Sequence, residues 1–371
     1  MTGRNLFDSQ VVIKVMGVGG GGCNAVNRMI QTALEGVKFV ALNTDMQALN
    51  ACYAEKKLAL GDMITRGLGT GGDPTKGQAA AKESEHAIAA ELEGVDMLFI
   101  TAGMGGGTGT GAAPIVAQIA QRLDILTVGV VTKPFGFEGP RRRRIAEEGI
   151  ARMQEHVDTL IVIPNEKLLT AVDRKTSLED AFRYADDTLR QGVQGISDII
   201  LKPGLINVDF ADVKSVMKDA GVALMGLGRG TGEHRGRTAA EAAATSPLIE
   251  TDVRGAKRLL INITAGPDFS LGEANDIMEY VMQFADAEDA AIFMGHVTDE
   301  SMGDQVSVTL LAAGMPAVSR RQADREVFVR EEAPTSSGED AVARPTLDAI
   351  ELDEIDFDIP AFLRHQHSGR R

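Results

Sequence analysis

Residues 17–26 of this chain read GVGGGGCNAV, directly after an apolar run, VVIKVMGV, and at the opening of a helical pattern. Glycines in that place let backbone N–H groups come close to an anion, and the helix N-terminus adds partial positive charge, so phosphate is the ligand that fits. The spacing of Gly17, Gly19 and Gly22 also satisfies the GxGxxG dinucleotide fingerprint. Asp45, in the NTD at 43–45, stands about where a ribose-binding acid would, so a dinucleotide-dependent oxidoreductase is a fair alternative at this point. A second loop, AGMGGGTGTGAAP at 102–114, again follows a strand-like run and again opens a helix. One pyrophosphate needs one loop; two loops with the hydroxyls of Thr108 and Thr110 make a larger cradle, suited to a nucleoside triphosphate. There is no GxxxxGK[ST], so the P-loop class is excluded by motif, and neutralising the phosphates falls to dipoles and a remote arginine.

The segment KPFGFEGPRRRR at 133–144 offers that arginine, with Glu138 just ahead of Pro140 near a helix start; composition leaves open which of the four turns inward. A further group lies in PGLINVDFADV, where Asn207, Asp209 and Asp212 occupy a loop entering a helix. Asp209 and Asp212 are three apart and share a face at a helix N-terminus, which capping explains as well as chemistry does. Cys23 and Cys52 read as reduced core or loop residues rather than a disulfide. The six histidines never fall at i, i+3 or i+4, so no dedicated metal cage is expected.

These loops need a scaffold, and the chain supplies one. From residue 11 to about 163 strand-like runs (VVIKVMGV, KFVALN, DMLFITAG, ILTVGVV, VDTLIVIP) alternate with helical patterns, the signature of a mostly parallel sheet with helices on both faces. In such folds ligands bind at the carboxyl ends of the strands. A long helix follows over about 178–201, with Leu178, Phe182, Ala185, Leu189, Val193, Ile196 and Ile200 at steps of three and four, a start signal at Ser177 and Asp180, and a stop at Pro203-Gly204. One stripe is expected to face a core throughout, and the helix is long enough, at roughly 35 Å, to cross a domain. VALMGLG, RLLINITA, AAIFMGH and QVSVTLLA then mark the strands of a second, smaller α/β layer, with helices at 233–244 and 270–285; Val306, Val308 and Leu310 alternate with Ser307 and Thr309, as in a strand covered on one face. Residues 316–350 have linker composition. The closing ELDEIDFDIPAFLRHQHSGRR brings back apolar residues in the manner of a tethered partner-binding motif.

Bulk properties narrow the function classes. At 371 residues with 44% hydrophobic content the chain can bury two packed domains. Its formal charge of −15, with no basic stripe, opposes nucleic-acid binding. The first residues, MTGRNLFDSQ, lack the pattern of a signal peptide and no run reaches the roughly 18 apolar residues of a membrane span, so the expectation is a soluble cytoplasmic protein with no direct membrane insertion.

GGGTGTG at 105–111, together with GVGGGGCNAV, NTD, VTKPFGFEG, NVDFADV and DIPAFLR in this order, resembles the tubulin/FtsZ family over nearly the whole chain. The resemblance implies a tubulin-like α/β fold: a Rossmann-type, mostly parallel GTPase domain over 1–177, a central helix over 178–202, a smaller α/β domain over 203–315, a flexible linker over 316–350 and a partner-binding tail over 351–371. It implies GTP and GDP as ligands, with Mg2+ neutralising the triphosphate. Gly19, Gly20, Gly21, Gly22 and Asn24, with Gly105, Gly106, Gly107, Thr108, Gly109, Thr110 and Gly111, would surround the phosphates, joined by Asn43, Asp45, Gly71, Gly72 and Pro134. Glu138 and Arg142 would contact the ribose and phosphate region, Asn165 and Asp186 would read guanine, and Phe182, one helical turn before Asp186, would cover the base. Asn207, Asp209 and Asp212 match the family's catalytic loop. Because the long helix carries that loop roughly 35 Å from the phosphate end, it would serve the GTP of the next subunit in a head-to-tail filament. The tail residues Asp358, Ile359, Pro360, Phe362 and Leu363 match the family's motif for membrane-tethering and regulatory division proteins, which implies work at the division site. Asp73 stands where the family commonly has Asn, an extra carboxylate expected to weaken nucleotide binding slightly.

Overall fold

The computed structural model describes residues 11–170, 175–202, 204–206, 208–246, 248–249, 254–286 and 289–315. Six parallel strands open the chain: β1 (Ile13–Val18), β2 (Val37–Asn43), β3 (Lys56–Ala59), β4 (Met97–Gly103), β5 (Leu126–Lys133) and β6 (Thr159–Pro164), in the spatial order β3-β2-β1-β4-β5-β6. The helices between them are α1 (Gly19–Gln31), α2 (Met46–Asn50), α3 (Asp62–Thr65), α4 (Pro74–Glu83), α5 (Glu85–Leu92), α6 (Thr108–Arg122), α7 (Pro140–Gln154) and α8 (Asn165–Leu168). The central strands are apolar on both faces because helices cover both: Val15, Phe99, Val128 and Val130 belong to one buried cluster, and Met16, Leu98, Ile100 and Val131 to the other. The edge strand β3 was not legible in advance, since Lys-Lys-Leu-Ala carries little strand propensity.

The long helix is α9 (Leu178–Leu201), and its start is the expected one: Ser177 Oγ accepts the Asp180 N–H at 3.1 Å. Its stripe does not face a core throughout, however. Ala185, Leu189, Val193 and Ile196 are buried, while Leu178 and Phe182 at the first turns are exposed. At those turns Ala181 is buried and Phe182 lines a cavity.

Beyond α9 come α10 (Phe210–Met217), β7 (Gly221–Thr231), α11 (Arg235–Ala244), β8 (Arg258–Ala265), α12 (Leu271–Met282), β9 (Ala291–Thr298) and β10 (Gln305–Ala313). Strand β7 pairs with β6 through Gly221–Ala223 and with β10 from Leu224 onward, so the strands join in one ten-stranded order that continues β6-β7-β10-β8-β9. Alternate glycines in β7 set the packing of α11. A Cβ on Gly226, Gly228 or Gly230 would lie 2.0 Å from the carbonyl oxygen of Ala243, Ala239 or Arg235, so the helix rests directly on the strand. Arg235, itself buried, ties this region together through Glu273 at 2.6 Å, Asp268 at 2.9 Å and Asp304 at 3.3 Å. On β10, Val306, Val308 and Leu310 are buried beneath α11 and α12. Ser307 and Thr309 face α9, where Thr309 packs against Gly195, so this face is covered too and not open as the alternation suggested.

Candidate functional site

The parallel strands end where their helices begin, and the turns between them enclose a cavity of about 310 Å³ at the carboxyl edge of the sheet. Gly20 and Gly21 at the start of α1 line it, with Gly106, Gly107, Thr108 and Gly109 at the start of α6. Pro134, Glu138 and Arg142 close one side; Asn165, Phe182 and Asp186 close the other. Gly103, Met104 and Thr132 also line it from within AGMGGGTGTGAAP and VTKPFGFEG, Ala185 and Leu189 from the apolar stripe of α9, and Thr70 from the 67–73 loop, although none of the six was singled out as a site residue. A cleft of about 410 Å³ lies between α9 and β7, lined by Tyr184, Asp187, Gln191 and Arg229 among others.

The glycines divide by what a side chain would meet. Gly22 packs α1 on β4, with a Cβ 2.3 Å from the Thr101 carbonyl oxygen; Gly19, at φ +73°, lets the two glycine loops touch, with a Cβ 2.7 Å from the Gly109 nitrogen. Gly107 and Gly111 similarly abut Thr70, Asp73 and Pro74, and Gly105 abuts the Arg142 carbonyl, so these serve close packing around the cavity. Gly71 and Gly72 supply positive φ to the 67–73 loop. Gly20 and Gly106 are different: neither has positive φ and a Cβ on either meets nothing within 4 Å. Neither close packing nor positive φ explains their lack of a side chain, and both border the cavity.

Other expected residues act behind the lining. Asn43 Oδ1 accepts the N–H of Thr44 at 2.9 Å and of Asp45 at 3.3 Å, and Asp45 caps α2 through Gln47 N at 2.8 Å. They fix Thr44, whose hydroxyl meets that of Thr108 at 2.6 Å, with Thr70 3.5 Å from Thr108, so three loops are joined by hydroxyls. Thr110 Oγ1 accepts the Gly105 N–H at 2.9 Å and braces its own loop. Asn24 faces a neighbouring hollow shared with Phe182 and Asp186. Asp73 caps α4, accepting from Thr75 N at 2.9 Å and Thr75 Oγ1 at 2.7 Å, and these bonds hold its carboxyl below the usual range. That carboxylate therefore serves as the cap of α4.

Of the four arginines, Arg142 is the one that lines the cavity, because it lies one turn after Glu138 and pairs with it. Glu138 in turn accepts the Phe135 N–H at 2.9 Å. Phe135 stacks on Phe137 at 5.0 Å and meets Phe182 edge-on at 5.3 Å, which fixes the Phe182 ring beside the cavity. Asn165 is buried and its Oδ1 has no hydrogen-bond partner. Among the described residues no donor reaches the Asp186 carboxylate either. Burial pushes its pKa up to about 7, against a smaller pull from Arg28. Two acceptors thus face one end of the cavity and backbone donors line the other.

The acidic loop lies elsewhere. Asn207 is outside the described residues; Asp209 is exposed and caps α10 by accepting the Asp212 N–H at 2.8 Å. Leu201, at the end of α9, packs on Gly36 ahead of β2; the α10 carbonyl of Met217 accepts the Thr159 hydroxyl at the first residue of β6; and Lys218 pairs with Asp124 ahead of β5 at 3.6 Å. All three contacts are at the amino edge of the sheet, opposite the cavity. The loop is held there by β9, where the His296 N–H donates to Ile206 at 3.0 Å. Residues 316–371, with Asp358, Ile359, Pro360, Phe362 and Leu363, lie outside the described residues.

Comparison with known proteins meets this geometry. The family model described as Tubulin/FtsZ family, GTPase domain, matches residues 12–173, and that described as FtsZ family, C-terminal domain, matches residues 221–316. The cell division protein FtsZ of Pseudomonas aeruginosa is 50% identical over 359 residues, 96% of this chain and 90% of the relative. The chain belongs to the FtsZ family. The FtsZ of Azotobacter vinelandii is 49% identical, with 96% of each chain covered. A solved FtsZ dimer from M. jannaschii, empty, superposes with a TM-score of 0.80 at 45% identity, over 83% of this chain and 90% of that one. The tubulin-like α/β fold expected from the sequence is therefore shown, and the oxidoreductase alternative finds no support: Asp45, its ribose-binding candidate, spends its carboxylate capping α2.

The FtsZ-family cavity makes one test immediate. Gly106→Ala is expected to leave thermal stability unchanged or slightly raised, since its Cβ meets open space. The same methyl narrows the cavity that Gly106 lines, so nucleotide affinity should fall about ten-fold. Titration of a fluorescent GTP analogue beside a thermal melt separates the two effects; loss of stability with unaltered affinity would assign Gly106 to packing.

Proposed function

We propose that this chain is a GTP-binding, GTP-hydrolysing filament protein of bacterial cell division, in which the acidic loop of one copy completes the reaction centre on the GTP of the next. The observation that carries the reading is the separation of the glycine-lined cavity from Asp209 and Asp212 by the full height of the sheet. A chain cannot bring the two together by itself; a second copy stacked on the carboxyl edge can. A head-to-tail contact of this kind does not close on itself and so builds an open filament. Exposed apolar side chains suit both ends, with Met63 and Leu68 beside the glycine loops and Leu205 in the acidic loop.

Guanine is the base the acceptors favour. Its N1–H and N2–H2 groups donate to the Asp186 carboxylate and the free Asn165 Oδ1, whereas adenine would turn a ring-nitrogen acceptor on the carboxylate. Phe182 covers the ring. The N–H groups at the starts of α1 and α6 receive the phosphates, and Arg142 with Glu138 holds the ribose and phosphate region. In the assembled site Asp209 and Asp212, with Asn207, orient and deprotonate the attacking water. Magnesium accompanies the triphosphate, with phosphate and water oxygens as its main ligands, since among the described residues no group of three His, Cys, Asp or Glu gathers to hold a metal.

The wider organisation is part of the same proposal: a GTP-binding domain over 1–177, the central helix over 178–202, a C-terminal α/β domain over 203–315, a linker over 316–350 and a tail over 351–371. The tail's Asp358, Ile359, Pro360, Phe362 and Leu363 dock on membrane-tethering division proteins. Among the described residues no helix is long and apolar enough to cross a membrane, so such partners would hold the filament at the cytoplasmic face of the division site. Sedimentation with GTP, GDP and NAD side by side tests the function. Pellets are expected with GTP, far fewer with GDP, and none specific to NAD; pellets indifferent to the nucleotide overturn the reading.

A further inference from the structure

The flank of the sheet carries an empty strand position. Edge strand β3 pairs with β2 only from Val40 onward, so among the described residues Val37–Phe39 have no strand on their outer side. A groove of about 550 Å³ runs along that stretch. Residues from both faces of the sheet line it, as they would a site beside a strand edge. Ile30, Val37, Phe39 and the exposed Tyr53 form its wall on the α1 face. The other face is basic: Lys14 and Lys38 are paired in register, Lys56 is paired with Val40, and the alternation of strand side chains puts all three together. Of the two acids at the groove, Glu55 and Glu91, the second is held by Lys14 at 3.3 Å.

An incoming strand would need apolar side chains on one face and acidic side chains on the other, at a period of two. The chain contains such a segment: Ile355, Asp356, Phe357, Asp358 and Ile359 alternate without a break. We propose that the 355–359 segment of a second copy adds to the open edge of β2, placing Phe357 and its apolar neighbours on the Phe39 and Tyr53 wall and Asp356 and Asp358 against Lys38 and Lys56. Backbone hydrogen bonds to the edge supply affinity, and opposite charges across the pair fix the register. The flank stays open when copies stack end to end, so the segment can come from a neighbouring copy of the same or an adjacent filament. Residues 316–354 give a contour of up to roughly 130 Å, enough to reach an adjacent copy. The proposal rests on the filament reading above.

The test uses full-length chain carrying the photo-cross-linker benzoyl-phenylalanine in place of Phe357, with isotopically heavy and light copies mixed before GTP is added. Irradiation is expected to give cross-linked peptides joining position 357 to Val37–Phe39 or Tyr53, with heavy and light partners mixed. Lys38→Glu with Lys56→Glu should lower the yield roughly five-fold, and adding Asp356→Lys with Asp358→Lys should restore it. Cross-links elsewhere, isotopically unmixed pairs, or a yield indifferent to these charges overturns the proposal. Sedimentation of the same samples keeps the two readings apart. GTP-dependent pellets without the cross-links defeat the docking alone, whereas absence of pellets defeats the filament reading and the docking with it.

Discussion

Replacing Asp212 with Ala is expected to cut GTP turnover roughly 100-fold or more while leaving GTP affinity within about two-fold of the unaltered chain. The two effects separate because Asp212 is on the amino edge of the sheet, and its hydrogen-bond partners, Asp209 and Ser215, are not among the residues that line the cavity. Loss of an interaction made only as water attacks lowers kcat without lowering affinity. Folding should be spared as well, since it is the Asp212 backbone N–H, retained by alanine, that Asp209 caps. Phosphate release and equilibrium binding of a slowly hydrolysed analogue provide the two readouts. A parallel fall in both would place Asp212 in the binding pocket and remove the reason for invoking a neighbour.

The second large effect concerns Asp186. Its replacement with Ala should cost about 3 kcal/mol of GTP binding, two charge-assisted hydrogen bonds, or roughly 100-fold in affinity. Asp186→Asn should weaken GTP comparably but improve binding of xanthosine triphosphate, whose 2-oxo group accepts from the new amide where guanine's amine donates. The wild-type group also sets a pH dependence. Burial raises its pKa to about 7, so without nucleotide it is protonated below that pH and ionised above. Guanine needs the ionised form, so affinity falls as pH drops below about 7. Stability of the nucleotide-free chain moves the other way. With the folded pKa raised above the unfolded value, the folded state binds the extra proton. The contribution is complete below about pH 4 and is lost as pH rises through about 7. Titrations of GTP affinity from pH 5.5 to about 8 should therefore show a midpoint that Asp186→Asn abolishes.

Much of this was legible in the residues. Both glycine loops, the strands that feed them and the Ser177 cap of α9 follow from local rules of spacing and period, which tertiary contacts here reinforce. What was not legible depends on neighbours remote in sequence. Gly20 and Gly22 look alike in GVGGGGCNAV, yet one borders open space and the other abuts the Thr101 carbonyl. Composition left open which of the four arginines turns inward; the resemblance named Arg142, and the structure puts it at the cavity, one turn after Glu138 and paired with it. The cap that Asp73 places on α4 was not anticipated, and Leu178 fitted the buried period although its side chain is exposed. Thr70 and Thr132 line the cavity from a loop and a strand end, and neither was singled out as a site residue, Thr132 although it lies within VTKPFGFEG.

The central claim is that binding and chemistry reside at opposite ends of each molecule and meet only between two of them. GTP turnover per chain, followed across protein concentrations spanning the onset of sedimentation, tests it most directly. The account predicts a specific activity near zero at high dilution that climbs steeply once assemblies form. A specific activity that stays constant down to the most dilute, strictly monomeric sample would contradict it.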